Sequence, residues 1–199
     1  MCDLLARLRT VTLWALAAAP LAACGDNPVL PPAQVPVTEQ QITISALTGT
    51  DVRTPSAYNM LILIEVRTDE TTEFDFAFDI GIDSVLGVGT TGDTVAVLLP
   101  RGALGFAADG GLQTTTVPFD SIVMGLLNGY ERGRPVRIRE GDAVMAASRI
   151  QQCTFQVVRP RVAKLRIDQI DLVQRRAVIR VVINPNCGYL SLRPGIPRE

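Results

Sequence analysis

Asp75, Asp79 and Asp83 recur every four residues, with Asp69, Glu70 and Glu73 close by, and together they are a dense set of carboxylates. Carboxylate oxygens in such number are the raw material of a calcium site, which takes about six to eight oxygen ligands. The spacing argues against one. Phe74, Phe76, Phe78, Ile80 and Ile82 alternate with Asp75, Ala77, Asp79, Gly81 and Asp83, the period of a strand, and strand positions four apart lie roughly 13 Å from each other. The loop pattern D-x-[DN]-x-[DN]-G is absent as well. The set reads as a solvated acidic face, with Asp75, Asp79 and Asp83 as weak calcium candidates.

Gly87-Val88-Gly89-Thr90-Thr91-Gly92 spells G-x-G-x-x-G, the phosphate-cradling turn of dinucleotide sites. That chemistry needs a helix opening at the glycines, so that its N-terminus receives the pyrophosphate. Residues 93–100 read as a strand instead, which makes the run a hairpin loop. The single lysine, Lys164, could pair with a serine, but the alternation around it points its side chain to water. No pair of acids is singled out for glycoside hydrolysis. The chain has no histidine, which removes His-based triads, imidazole metal ligands and the commonest general base. Its one tryptophan is Trp14, so the chain beyond residue 23 lacks the residue best suited to stacking on sugars. No catalytic residue and no cofactor are expected.

Arg132, Arg134, Arg137 and Arg139 form one basic segment, and Arg159, Arg161, Lys164 and Arg166 a second. On strands, alternate members form a stripe able to meet phosphate, carboxylate or an anionic polymer. The net charge of −1 conceals an asymmetry: residues 24–110 carry twelve acids against three arginines, and residues 111–199 seven acids against fourteen basic residues. The halves either pair within one fold or meet a partner through separate charged surfaces. Nucleic acid does not suit the overall balance.

The elements that must position these groups are strands. Period-two patterns fall at 42–45, 74–83, 94–99, 112–117, 134–139, 144–148 and 153–158. The apolar run 60–66 suits a central strand. Residues 162–172 and 177–183 form a hairpin whose apolar phase slips near Asp168, the mark of a bulge. Residues 120–127 fit one short helix capped by Asp120. Many short strands with little helix predict an all-β antiparallel sandwich, of immunoglobulin-like type. Cys153 and Cys187 are predicted to form a disulfide; two free thiols or a metal pair are the alternatives.

The N-terminus supplies an address. Arg7 and Arg9 precede an apolar stretch from Val11 to Leu21, too short to span a bilayer, followed by Ala22, Ala23 and Cys24. Leu21-Ala22-Ala23-Cys24 resembles the lipobox of bacterial lipoproteins. The resemblance implies cleavage before Cys24, acylation of its thiol, and a mature chain of 199 − 23 = 176 residues. It implies attachment of the acyl chains to a membrane of the cell envelope. The tail from Asn184-Pro185-Asn186-Cys187-Gly188-Tyr189 through Pro197 resembles those of uncharacterised bacterial lipoproteins and carries no activity across. The organisation expected is a signal peptide at 1–23, a proline-rich tether at 24–40 and one β-sandwich domain at 41–199. The expected role is a non-catalytic interaction or structural module with a protein or envelope-polymer partner. Binding of calcium or an anionic polymer is the alternative, and an envelope hydrolase comes third.

Overall fold

Segments that alternate apolar and polar side chains bury one face only by pairing into sheets that pack on each other. The computed structural model, which describes residues 30, 32–153 and 158–198, does this twice. In chain order the strands are β1 (Thr38–Ser45), β2 (Ala57–Asn59), β3 (Ile64–Val66), β4 (Phe76–Ile82), β5 (Thr94–Pro100), β6 (Gly111–Thr115), β7 (Val136–Ile138), β8 (Ala143–Ala147), β9 (Gln151–Gln152), β10 (Val158–Arg159), β11 (Val162–Asp171) and β12 (Arg176–Ile183). One antiparallel sheet runs β1-β12-β11-β8-β6 and the other β3-β2-β4-β5-β7, while β9 and β10 form a small separate hairpin. The one α-helical turn among the described residues, α1, is Asp83–Leu86.

Ile42, Ile44, Leu165, Ile167, Ile179 and Val181 of the first sheet face Tyr58, Phe76, Phe78, Ile80 and Leu98 of the second in a shared core. Burying each such side chain stabilises the fold by about 1.5–3 kcal/mol relative to exposure. The outer faces are covered too. Phe119, Ile122, Tyr130 and Leu192 lie over Ala143, Met145, Val162 and Val182, on the outside of the first sheet. Leu47, Leu86, Val88, Ala103 and Leu104 lie over Ala77, Val95, Val97 and Leu99, on the outside of the second. Strands covered on both faces explain why β5 and β8 read as continuous apolar runs.

The bulge is where the apolar phase slips: pairing of β11 with β12 shifts between Ile167 and Gln169. Four other expectations are corrected. The 60–66 run is a turn plus the edge strand β3: Asn59 Oδ1 accepts the Leu61 and Ile62 N–H groups at 2.9 and 3.3 Å, and Leu63 takes a φ of 62° to complete the turn. The helix over 120–127 is replaced by one 3-10 turn, Phe119–Ser121. Beyond it the backbone pairs with the C-terminal tail, Gly125 N–H to Leu190 O at 2.7 Å and Leu192 N–H to Val123 O at 2.9 Å. The folded part also begins before residue 41, since β1 starts at Thr38. Ahead of it, the N–H groups of Gln34 and Val35 donate to Asn186 Oδ1 at 3.0 and 3.1 Å. Lastly, the strand order is not that of an immunoglobulin domain, whose sheets run ABED and CFG with first and second strands adjacent. Here the first strand pairs with the last, in register from Thr38↔Ile183 to Ser45↔Arg176.

Two phenols are shut inside these layers. Burial first, then the charges of Glu65 and Asp75, push the Tyr58 phenol far above its ordinary value. Burial pushes Tyr130 up to about 12, and its hydroxyl donates to Leu126 O at 2.8 Å. A raised folded-state value means stability that is complete below the unfolded value near 10 and lost as pH rises through the folded one. Near-ultraviolet difference titration of wild type against the Y58F/Y130F variant should therefore show these two phenols un-ionised in the folded protein well past pH 10. Their ionisation near pH 10 with the fold intact contradicts the buried placement.

Candidate functional site

The three aspartates do not form a solvated face, and they do not converge on one point. Each is buried and closes a different loop. Asp75, 1% exposed, accepts the Met60 and Arg149 N–H groups at 2.6 Å each, and its Oδ1 lies 3.3 Å from Arg149 Nε. Burial pushes its carboxyl up, while those two N–H donors pull the other way. The Arg149 guanidinium also pairs with Glu73 and donates to Asn59 Oδ1. Asp79 accepts the Thr48 N–H at 3.0 Å, the Thr48 hydroxyl at 2.8 Å and the Ile80 N–H at 2.8 Å, with Arg175 Nη2 at 3.9 Å.

Asp83 takes over the glycine-rich run. It accepts the Thr91 hydroxyl at 2.7 Å, the Thr91 N–H at 3.1 Å and the Gly92 N–H at 2.8 Å. The Thr91 hydroxyl, followed by the backbone donors, holds its carboxyl below the ordinary range. A Cβ on Gly89 would lie 2.2 Å from Asp83 Oδ2, so glycine there lets the loop close over the carboxylate. The loop's amides are committed to a side chain of the same molecule, not to a phosphate. Among the described residues, no group of three or more carboxylate or thiol ligands is placed to hold a metal.

The four arginines of the first basic segment separate into two kinds. Arg132 donates to Ala108 O at 3.2 Å, and Arg134 forms a two-pronged pair with Glu131 at 2.5 and 2.9 Å. Arg134, with the Gly133 N–H, pulls the Glu131 carboxyl down to about 2. Arg137 lies on the edge strand β7, whose Val136 and Ile138 turn inward, and Arg139 follows directly after its end. Neither forms an ion pair among the described residues. They border a groove of about 300 Å³ with Thr94, Ala96, Glu140, Ile170 and Leu172.

Three members of the second basic segment, Arg161, Lys164 and Arg166, are spent on structure. Arg161 Nη1 donates to Leu61 O at 2.6 Å, and Arg166 pairs with Asp168 at 3.4 Å. Lys164, expected in water, is 7% exposed. Its ammonium donates to Phe119 O at 3.0 Å and Ile122 O at 2.9 Å and sits 4.4 Å from the Phe119 ring centroid. The segment after β6 folds back over this outward strand position, a covering that alternation alone cannot reveal. Ion pairs Arg149–Glu73, Arg175–Asp79 and Arg180–Glu39 join the basic half of the chain to the acidic half.

The two ends of the sandwich differ. At one, Cys153 and Cys187 form the expected disulfide, with Cα atoms 5.7 Å apart. There Asn186 clamps the incoming chain, and Pro32, Val35 and Tyr189 help line a pocket of about 240 Å³. The Arg137/Arg139 groove lies at the other end, beside the turn joining β11 to β12. Eight residues of β12 separate the two by roughly 27 Å.

Two stability outcomes follow. Asp75→Ala strands the buried Arg149 guanidinium and should cost about 3–5 kcal/mol, read as a drop in the urea midpoint; a change within error refutes the network's importance. Replacing both cysteines by serine opens a loop of 34 residues and should cost about 3–4 kcal/mol on the chain-entropy model. Equal melting of that variant and the oxidised wild type would count against the bridge.

Compared with known proteins, the chain matches no family model, no curated protein and no solved structure.

Proposed function

We propose that this chain is a membrane-anchored envelope lipoprotein, held by acyl groups on Cys24, whose sandwich is a non-catalytic interaction module. The observation that carries the reading is the polarity of the domain. The incoming chain is clamped at the disulfide end by Asn186, and Arg137 and Arg139, without an ion pair among the described residues, flank a groove at the far end. A tethered binding module needs this separation, because its contact surface must face away from its attachment. Two guanidiniums beside the apolar Ile170 and Leu172 suit a partner that brings carboxylates or phosphates on an apolar backing. The buried acids fit the same reading, since Asp75, Asp79 and Asp83, the calcium candidates, are occupied in closing loops.

The test uses the full chain in the cells that make it. Labelled fatty acid should enter the wild type and not Cys24→Ser. Cross-linking in intact cells should give a discrete adduct with the wild type, reduced at least tenfold in the R137E/R139E variant at equal abundance. Adducts only with bulk anionic polymer favour the polymer-binding alternative. No adduct in the wild type refutes the interaction module.

A further inference from the structure

Val117, Val123, Met124, Leu126 and Leu127 are 40–60% exposed within one short stretch of chain. The first four, with Ile122 and Met145, edge a shallow cavity of about 260 Å³ with mostly apolar walls. The backbone beneath this rim is fixed: Met124 bridges to Ser191, Gly125 N–H donates to Leu190 O, and a Cβ on Gly125 would strike Val162 at 2.4 Å. The rim is thus a rigid, exposed apolar edge, the kind of surface that can serve as a protein or membrane contact.

Its position matters more than its composition. A short relay of contacts ties it to the incoming chain. Val35 is held by Asn186, Asn186 by Asn184, and Asn184 Nδ2 donates at 2.7 Å to the carbonyl of Ser191, the residue bridged to Met124. Upstream, Leu30 rests on Gly188, where an added Cβ would lie 2.6 Å from it. From Cys24 to Leu30 is 30 − 24 = 6 residues, which extend to at most about 20 Å. An acylated Cys24 therefore keeps the disulfide end within reach of the lipid surface, while the opposite end lies roughly 27 Å from that end along the strands. Arg193, exposed and next to the Leu192 that pairs with Val123, adds a cation suited to anionic headgroups.

We infer that the Val123–Leu127 rim docks into the interfacial layer of the bilayer that receives the acyl chains of Cys24. The inference rests on the lipoprotein reading and adds a second contact to it. Acyl chains and rim together fix the tilt of the domain, where acyl chains alone leave it free to swing.

The experiment takes the full chain, acylated in its cells, purified and reconstituted into phosphatidylethanolamine–phosphatidylglycerol vesicles with brominated acyl chains. Leu127→Trp is compared with Val173→Trp; both positions are exposed, and cleavage before Cys24 removes Trp14, the native tryptophan. The expected result is a blue-shifted emission at 127, quenched by bromine several-fold more strongly than at 173. Equal, weak quenching at both positions on an acylated chain overturns the docking and leaves the lipoprotein reading standing. A blue shift at 127 without bromine quenching also overturns it, because a protein then covers the rim. A mass showing Cys24 unmodified overturns both.

Discussion

The pairing of β1 with β12 is the constraint on which the rest of the fold depends. It joins the first and last strands of the sandwich over eight residues, so that Ile42 and Ile44 complete a core otherwise open along the edge of β12. Closing so long a loop costs little more entropy than closing a shorter one, because the cost grows only with the logarithm of length. It is slow, however, since nearly all the intervening chain must be ordered before the pairing is rewarded. The tail and the incoming chain consolidate the closure: Val37 pairs with Gly195, and Asn186 holds residues 34 and 35. Start and end of the folded chain are thereby stabilised as one unit.

The charged groups inside this frame organise loops. Asp75, Asp79 and Asp83 stand at the beginning, middle and end of one strand region, and each gathers the amides of a different neighbouring segment. A carboxylate accepting several N–H bonds is a strong organiser, because it satisfies donors that would otherwise be buried unpaired. Lys164 performs the converse task, gathering the carbonyls of Phe119 and Ile122. Acids bind loops through amides on the second sheet, and a cation binds a loop through carbonyls on the first.

Much of the architecture was legible in the sequence. The alternation of Phe74 to Ile82, the run closed by Pro100 and the phase slip at Asp168 all correspond to real strands and a real bulge. The disulfide partners were legible because two cysteines outside the N-terminal segment leave one pairing. The burial of the aspartates was not, because the groups that close over them come from segments without a periodic signal: Met60 and Arg149 at Asp75, Thr48 at Asp79, and Thr91 and Gly92 at Asp83. Nor was the burial of Lys164. A clue was present in Ala143–Ala147, five apolar residues in a row: a strand without alternation is covered on both sides, and Lys164 pairs directly with its Met145. The helix at 120–127 failed because pairing with the tail outcompeted a local pattern. Of the candidate arginines, Arg132 finds its partner in another segment, at Ala108 O, and Arg134 in its own, at Glu131; residue type and spacing could not tell either from Arg137 and Arg139.

The rigidity of β12 has a geometric consequence. Its eight residues set a fixed height of roughly 27 Å between the clamp at Asn186 and the groove at Arg137 and Arg139. The domain behaves as a ruler. Adding residues before Pro32 leaves that height untouched. Only a change in strand length, and with it every register in the sheet, can move the groove relative to the clamp.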